Sequence, residues 1–481
     1  MTLINPFVAA SWGVHNNTYN NLVRAIHERV FCVEIDGVYQ RPPLPIINVQ
    51  QKLEQFRKKL MYHLIIPEPL STEQFVDTYV GRKKKMYIKA AESLQLKPLE
   101  LKDAFISAFI KDEKMMDASS KCPRIIQPRS PRFNVSIGVY IKALEKPIFR
   151  AIAGVFRGVT VAKGKNTFAR GKLLRRAWDE FDDPVAIMVD ASRCDQHCSS
   201  DIIGWEHMVM EKIFPDVRKL NDMRKINRCY ARAPDGSVKY KVKGSRMSGD
   251  MDTSLGNVLT MCAITWTYLE ELEIKYRYIN DGDDGVVIVE KRSVECVRTS
   301  FKQYFLNFGF TMKWDGDTDV FEQINFCQCQ PVYDGNRWRM VRTPKSVFAK
   351  DCVTLRRSLN ESHLLGLANS TGWCGLALAG DLPVFCALYQ WMVNDNKPVL
   401  DEYTTGMQYL AHGCYDRELS VIITDEARLS FWKAFNITPE TQVTIEEYIQ
   451  SISTPNFYKS PTPVHDFTIN TTIALLINNN L

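Results

Sequence analysis

Tyr276–Glu290 reads YRYINDGDDGVVIVE, two runs rich in Tyr, Ile and Val on either side of an acidic turn that carries glycine. Such runs around an Asp/Gly turn predict a β-hairpin, with strands at Tyr276–Asn280 and Val286–Glu290 and the turn at Asp281–Gly285. Its tip carries Asp283 and Asp284. Upstream, Pro184 precedes VAIMVD, a short apolar run that predicts a buried strand ending on Asp190. Helical spacing is read at Ser200–Phe214, Thr253–Leu272 and Val294–Phe308, and strands at Val238–Val242 and Phe310–Trp314. Phe326–Gln328 and Trp338–Arg342 flank a turn at Asp334-Gly335-Asn336. Strand, helix, helix, hairpin, helix, strand is an α+β order and not the steady βαβ of a doubly wound sheet.

The surrounding chain is of ordinary globular composition. It has 481 residues, 45% hydrophobic and 11% aromatic, enough apolar surface to exclude disorder as the main state. Thirteen cysteines, an odd count without regular spacing, fit reduced thiols in a cytosolic compartment better than a disulfide framework. No basic region followed by an apolar run opens the chain, so no signal peptide is expected. The strongest membrane candidate, Gly372–Val393, has Asp381 and Pro383 at its centre and reads instead as two buried helices joined by a turn. Membrane attachment would then have to come from another chain, a further segment or a surface contact. Net charge is +6, but residues 81–180 hold 23 Lys/Arg against 9 Asp/Glu, so that window carries +14 and the remainder −8. A polyanion partner on one lobe with acidic chemistry elsewhere fits this asymmetry; a solvated basic face is the plain alternative.

Asp190, Asp283 and Asp284 each sit at a strand end, rigidly held yet near a solvent edge. Three converging carboxylates repel one another unless hard cations neutralise them. Two Mg²⁺ ions about 3.5–4 Å apart, with Mn²⁺ as substitute, are the known solution for in-line nucleotidyl transfer. A calcium loop beginning at Asp281 fails on spacing, since its twelfth position is Arg292 where a bidentate Glu is needed. Between the acidic clusters, Ser248-Gly249-Asp250-Met251-Asp252-Thr253-Ser254-Leu255-Gly256-Asn257 places small hydroxylated residues at a helix start. Thr253 and Asn257, four apart, share a face, and Gly249 permits close backbone approach. An N-cap followed by a packed small-residue helix would look the same. Cys194, His197 and Cys198 invite a zinc reading but lack an obvious fourth ligand.

In order and spacing, Asp190-x4-Asp195, Ser248-Gly249-x3-Thr253-x3-Asn257 and Gly282-Asp283-Asp284 resemble motifs A, B and C of viral RNA-dependent RNA polymerases, with wording closest to the tombusvirus-like group. The resemblance covers roughly residues 80–345. It implies a right-hand fold with an antiparallel palm sheet flanked by helices. The lobes would be an N-terminal and fingertip extension with the template-entrance region (1–100), fingers (101–183), palm (184–345, with a finger-type insertion near 215–245) and a mostly helical thumb (346–481). It implies Asp190, Asp283 and Asp284 as metal ligands, and Asp195, Thr253 and Asn257 as the set that senses the ribose 2′-OH. That hydroxyl is both donor and acceptor, so a carboxylate and a carboxamide complement it; a reverse transcriptase would need a steric block there.

Lys111, Lys121 and Arg124 resemble the basic motif that lines the nucleotide entrance and clamps the triphosphate, alongside Ser248 and Gly249. Arg82, Lys83, Lys84 and Lys85 resemble a template-tracking run, with a nuclear-import or general RNA-binding run as the rival. Arg129 is grouped with the RNA contacts, as are Phe326, Cys327 and Gln328, which look like a primer-grip hairpin. Lys313 falls where a general acid for the departing pyrophosphate is placed; a surface lysine on a strand is its bland reading. The implied activity is primer-independent RNA synthesis from rNTPs on a positive-strand viral genome. It implies host cytoplasm, at membrane-associated replication complexes with another replicase protein or segment. A reverse-transcriptase-like palm enzyme and a non-catalytic RNA-binding protein are the rivals.

Overall fold

Val185, Ile187 and Val189 point to one side of a strand and Ala186 and Met188 to the other, and both sides are buried. A strand covered on both faces needs an unbroken apolar run and not alternation, which is what VAIMV supplies. The computed structural model describes residues 2–3, 12–35, 37–116, 121–354, 360–393, 422–452 and 458–459. The elements that position the candidate site, in chain order, are β1 (Ile106–Ile110), β2 (Ile125–Ile126), α1 (Pro131–Val155), α2 (Thr167–Trp178), β3 (Pro184–Ala191), α3 (Ser200–Ile213), β4 (Ile226–Ala233), β5 (Gly236–Lys243), α4 (Thr253–Glu271), β6 (Tyr276–Asp281), β7 (Asp284–Glu290), α5 (Val294–Asn307), β8 (Met312–Thr318), β9 (Cys329–Tyr333) and β10 (Trp338–Arg342).

The central sheet runs β6-β7-β3-β8, every pair antiparallel. Its odd-numbered face on β3 packs with Leu255, Val258 and Leu259 of α4 and with Phe301 and Phe305 of α5. The even-numbered face packs with Leu174, Ala177 and Trp178 of α2 and with Phe321 and Met340. Each fully buried Val, Ile or Phe contributes roughly 1.5–3 kcal/mol, and a one-residue slip would exchange the two faces, so the register is strongly specified. A second sheet, β5-β4-β1-β2, is mixed: β1 and β4 are parallel, the other pairs antiparallel. Helix and strand are thus interleaved around antiparallel and mixed sheets, in line with the α+β expectation.

Predicted and observed elements agree along β3, α3, α4, the β6–β7 hairpin and α5 to within two residues. Two differ. The strand read at Phe326–Gln328 is instead a tight turn, with reciprocal Phe326–Cys329 backbone hydrogen bonds of 2.8 and 3.1 Å. Cys327 and Gln328 both take positive φ, 54° and 60°, and the strand begins only at Cys329. Residues 121–132, whose Pro and Arg content reads as extended loop or strand, give way at Pro131 to α1, a 25-residue helix started by Ser130, whose hydroxyl accepts from Phe133 N at 3.1 Å. Gly372–Val393 lies across two buried helices, Glu361–Ala379 and Phe385–Met392. Asp381, at the turn between them, accepts from Arg339 at 2.5 Å. No helix among the described residues is long and apolar enough to cross a membrane. Much of the span 346–481 lies outside the described residues.

Candidate active site

The β3–β7 register sets Asp190 directly opposite Asp284, and Gly282-Asp283 forms the two-residue loop between Asp281 and Asp284. Gly282 has φ 92°, which a side chain would strain. Asn280, fully buried, ties the loop from beneath. Its Oδ1 accepts from Gly282 N at 3.0 Å, and its Nδ2 donates to the carbonyls of Gly282 at 2.8 Å and Asp284 at 3.2 Å. Ala191 N donates to Asp283 O at 3.1 Å, which joins the loop to the end of β3. From the other side β8 sets Lys313 opposite Asp190, with Nζ 3.4 Å from its carboxylate.

Burial, reinforced by the charges of Asp283, Asp190 and Asp281, pushes the Asp284 carboxyl up to about 6. Burial also raises Asp190, with Lys313 pulling against it and Asp283 adding to it. Asp281 is neutralised from within the chain by Lys163 at 3.2 Å and by Arg170, which also donates to Lys165 O. Three mutually repelling carboxylates with hard oxygen donors fit a divalent cation in their chemistry. Among the described residues, however, no three His, Cys, Asp or Glu side chains are already closed into a metal-holding group. His197 has its ring nitrogens 3.2 Å from Arg193 O and 3.1 Å from Thr311 Oγ1, and the Cys198 thiol donates to Cys194 O.

The loop entering α4 lies beside this turn. Gly249, at φ 151°, passes so close to the β2 segment that a Cβ would sit 3.0 Å from Pro128 N. Ser248 donates from Oγ to Ile125 O at 2.7 Å and accepts at its carbonyl from Gln127 N, stitching the loop to β2. Thr253 Oγ1 lies 3.2 and 3.0 Å from the carbonyls of Met247 and Asp250. One turn on, Asn257 Nδ2 donates to Asp195 Oδ1 at 3.1 Å. Burial raises the Asp195 carboxyl, against the nearby Arg246 charge.

Asp195, Thr253, Asn257 and Asp283 line one cavity of about 780 Å³, whose walls also carry Lys83, Arg124, Lys142, Lys146 and Lys163. Arg124 and Lys111 share Glu113, at 3.4 and 2.6 Å. Lys121 is exposed away from the cavity lining. Of the Arg82–Lys85 run only Lys83 lines the cavity, its ammonium over the Tyr79 ring at 4.8 Å; Lys84 pairs with Asp77. Two residues grouped with the RNA contacts are buried. Arg129 is 4% exposed, its guanidinium spent on Asp250, Asn227 and Ala104 O. Phe326 is 2% exposed in the core beneath the central sheet. Cys327 lies 3.8 Å from Asp281, and exposed Gln328 accepts from Lys350.

A family model described as viral RNA dependent RNA polymerase matches residues 3–456. The chain belongs to that family. Curated relatives named RNA-directed RNA polymerase include those of Tobacco necrosis virus (strain A), 38% identical over 90% of this chain, Melon necrotic spot virus, 38% over 91%, and Turnip crinkle virus, 36% over 92%. The chain spans 61%, 57% and 58% of these polymerases' own lengths. Within this chain, Asn280, Lys163 and Arg170 support the Gly282-Asp283 turn yet carry no motif signal of their own. Asn280 alone was within reach of the sequence, as the residue before an Asp-Gly turn.

Proposed function

We propose that this chain carries out template-directed RNA synthesis, joining rNTPs to a growing 3′ end in a primer-independent manner on a positive-strand viral genome. The observation that carries the reading is the meeting of Asp190 and Asp284 across one strand pair, with Asp283 sharing a cavity with the Asp195–Asn257 pair. In this reading the central sheet and α4 are the palm, the basic lobe with β1, β2, β4 and β5 the fingers, and the helices after residue 346 the thumb.

Asp190, Asp283 and Asp284 would hold two divalent cations, Mg²⁺ or Mn²⁺, which when bound lower the pKa of the attacking 3′-hydroxyl and neutralise charge on the triphosphate. Arg124 and Lys111 bind the triphosphate by exchanging Glu113 for phosphate oxygens. Asp195 accepts from the 2′-hydroxyl and Asn257 donates to it. Ser248, Gly249 and Thr253 fix the loop against which the sugar rests. Lys313 holds a proton beside Asp190 for the departing pyrophosphate. Lys83 and Lys146 follow the template backbone without reading sequence. Family resemblance supports action in host cytoplasm at membrane-associated complexes, with another replicase segment supplying the membrane contact.

Purified protein incubated with an RNA template, Mg²⁺ or Mn²⁺ and labelled rNTPs or dNTPs tests the reading. Product is expected with rNTPs in strong preference to dNTPs, falling to background in Asp190→Asn and Asp283→Asn. A preference for dNTPs would point to a reverse transcriptase, and folded protein that binds RNA without synthesis to a binding module.

A further inference from the structure

Arg246 is buried, 4% exposed, in the loop that leads into α4. Its Nε donates to Asn257 Oδ1 at 2.8 Å, its Nη2 to Glu206 Oε1 at 2.5 Å, and its backbone N to Asp195 O at 2.7 Å. Glu206, on α3 and wholly buried, also accepts from the Thr260 hydroxyl on α4. A carboxamide has two nearly isosteric orientations, and its neighbours decide between them. Here both neighbours agree. Reversing the Asn257 amide would face its NH₂ against the Arg246 N–H and its oxygen against the Asp195 carboxylate, two repulsive contacts in place of two hydrogen bonds.

Gly256 belongs to the same device. A Cβ at that position would stand 2.4 Å from Arg246 Nη1, so only glycine leaves the guanidinium room beside the first turns of α4. Arginine suits the task because its planar fork donates along two directions at once, to Asn257 and to Glu206.

We propose that Arg246, anchored by Glu206, is a positioning residue for sugar selection: it holds the Asn257 carboxamide with its N–H edge towards Asp195 and the nucleotide sugar. This rests on the reading that Asp195 and Asn257 sense the 2′-hydroxyl. One amide hydrogen goes to Asp195, leaving the second to donate to the ribose oxygen. With the amide free to turn, an rNTP meets a carbonyl oxygen for part of the time, while a dNTP loses nothing.

The test is the ratio of kcat/KM for a matched rNTP to that for its dNTP, measured with primed RNA in wild type, Asn257→Ala, Gly256→Ala and the double variant Arg246→Met/Glu206→Gln. The double variant removes the donor without stranding a buried carboxylate. Gly256→Ala keeps every charge and displaces the guanidinium, and it decides the matter should the double variant fail to fold. The ratio is expected to fall roughly tenfold, the worth of one hydrogen bond, in both, with the loss on the rNTP side. A general packing defect would lower rNTP and dNTP use together and leave the ratio unchanged. An unchanged ratio in these variants, with a lowered ratio in Asn257→Ala, overturns the Arg246 proposal alone. An unchanged ratio in Asn257→Ala overturns the ribose reading and this proposal with it.

Discussion

His207 shows how a single side chain registers the buried charge behind the site. It lies on α3 at 8% exposure, and burial, then the Arg224 charge, holds its imidazole down to about 3 from an ordinary 6.5. The charged groups that face it are Arg224, Asp252, Arg246 and Lys225, of which only Asp252 favours protonation. Asp252 is already committed: Arg224 donates to it twice, at 2.8 and 2.7 Å, and outweighs the burial that would raise its carboxyl. The folded chain therefore keeps His207 neutral where the unfolded chain protonates it. Stability is full above about pH 6.5 and declines as pH falls towards 3. Between pH 8 and pH 5 this one group should cost about 2 kcal/mol. Urea unfolding at the two pH values, in wild type and His207→Gln, isolates it, since all other titrations are common to both. Parallel pH dependence in the two proteins would remove the effect.

At the level of elements, the β6–β7 hairpin owes its tip geometry to Asn280. Asn280→Ala removes the acceptor for Gly282 N and the donor to two carbonyls, leaving buried backbone groups unpaired. A loss of roughly 2–4 kcal/mol is expected. Nucleotide incorporation should drop further than the folded fraction does, because Asp283 is misplaced in molecules that remain folded; activity that tracks the folded fraction alone would show that the loop holds its own shape. This hairpin was legible because its strands are apolar runs bounded by an Asp-Gly turn, and β3 and α4 were legible for similar reasons. Other elements hid their signals. β4, INRCYARA, exposes Ile226, Arg228 and Arg232 on one face and buries the polar Asn227 on the other, and it pairs in parallel with β1 across more than a hundred residues. α1 contains Pro147, which reads as a break. The turn at Cys327-Gln328 uses positive φ without Gly or Asn, so no turn residue marks it. Arg129 looked like part of a basic surface because its partner Asp250 is 121 positions away. The acidic motif residues, by contrast, converge as their spacing implied, since strand register alone brings Asp190 and Asp284 face to face.

Over the whole molecule, +6 is a poor guide to how the chain meets a polyanion, because residues 81–180 carry +14 and the remainder −8, and cations from that window line the cavity beside Asp195 and Asp283. Five cations line it, and three are engaged, Arg124 with Glu113 at 3.4 Å, Lys142 with Glu145 at 2.9 Å and Lys163 with Asp281 at 3.2 Å. Burial, with the nearby charge of Lys142, pushes Lys83 below its ordinary value, so an anion entering the cavity relieves repulsion as well as gaining attraction. Three to five phosphates neutralised on a single strand give a slope of roughly −2 to −3.5 in log Kobs against log salt. Anisotropy of a labelled single-stranded RNA titrated at several KCl concentrations measures it. Removing two cavity cations in Lys83→Ala/Lys146→Ala should flatten the slope by about 1.4 while leaving the melting temperature close to that of wild type. A second basic groove, lined by Lys165, Lys172 and Arg176, provides the internal control. Were the strand to lie there instead, Lys172→Ala/Arg176→Ala would take the salt dependence away and the cavity pair would leave it intact, and the link between the charged lobe and the Gly282-Asp283 turn would fail.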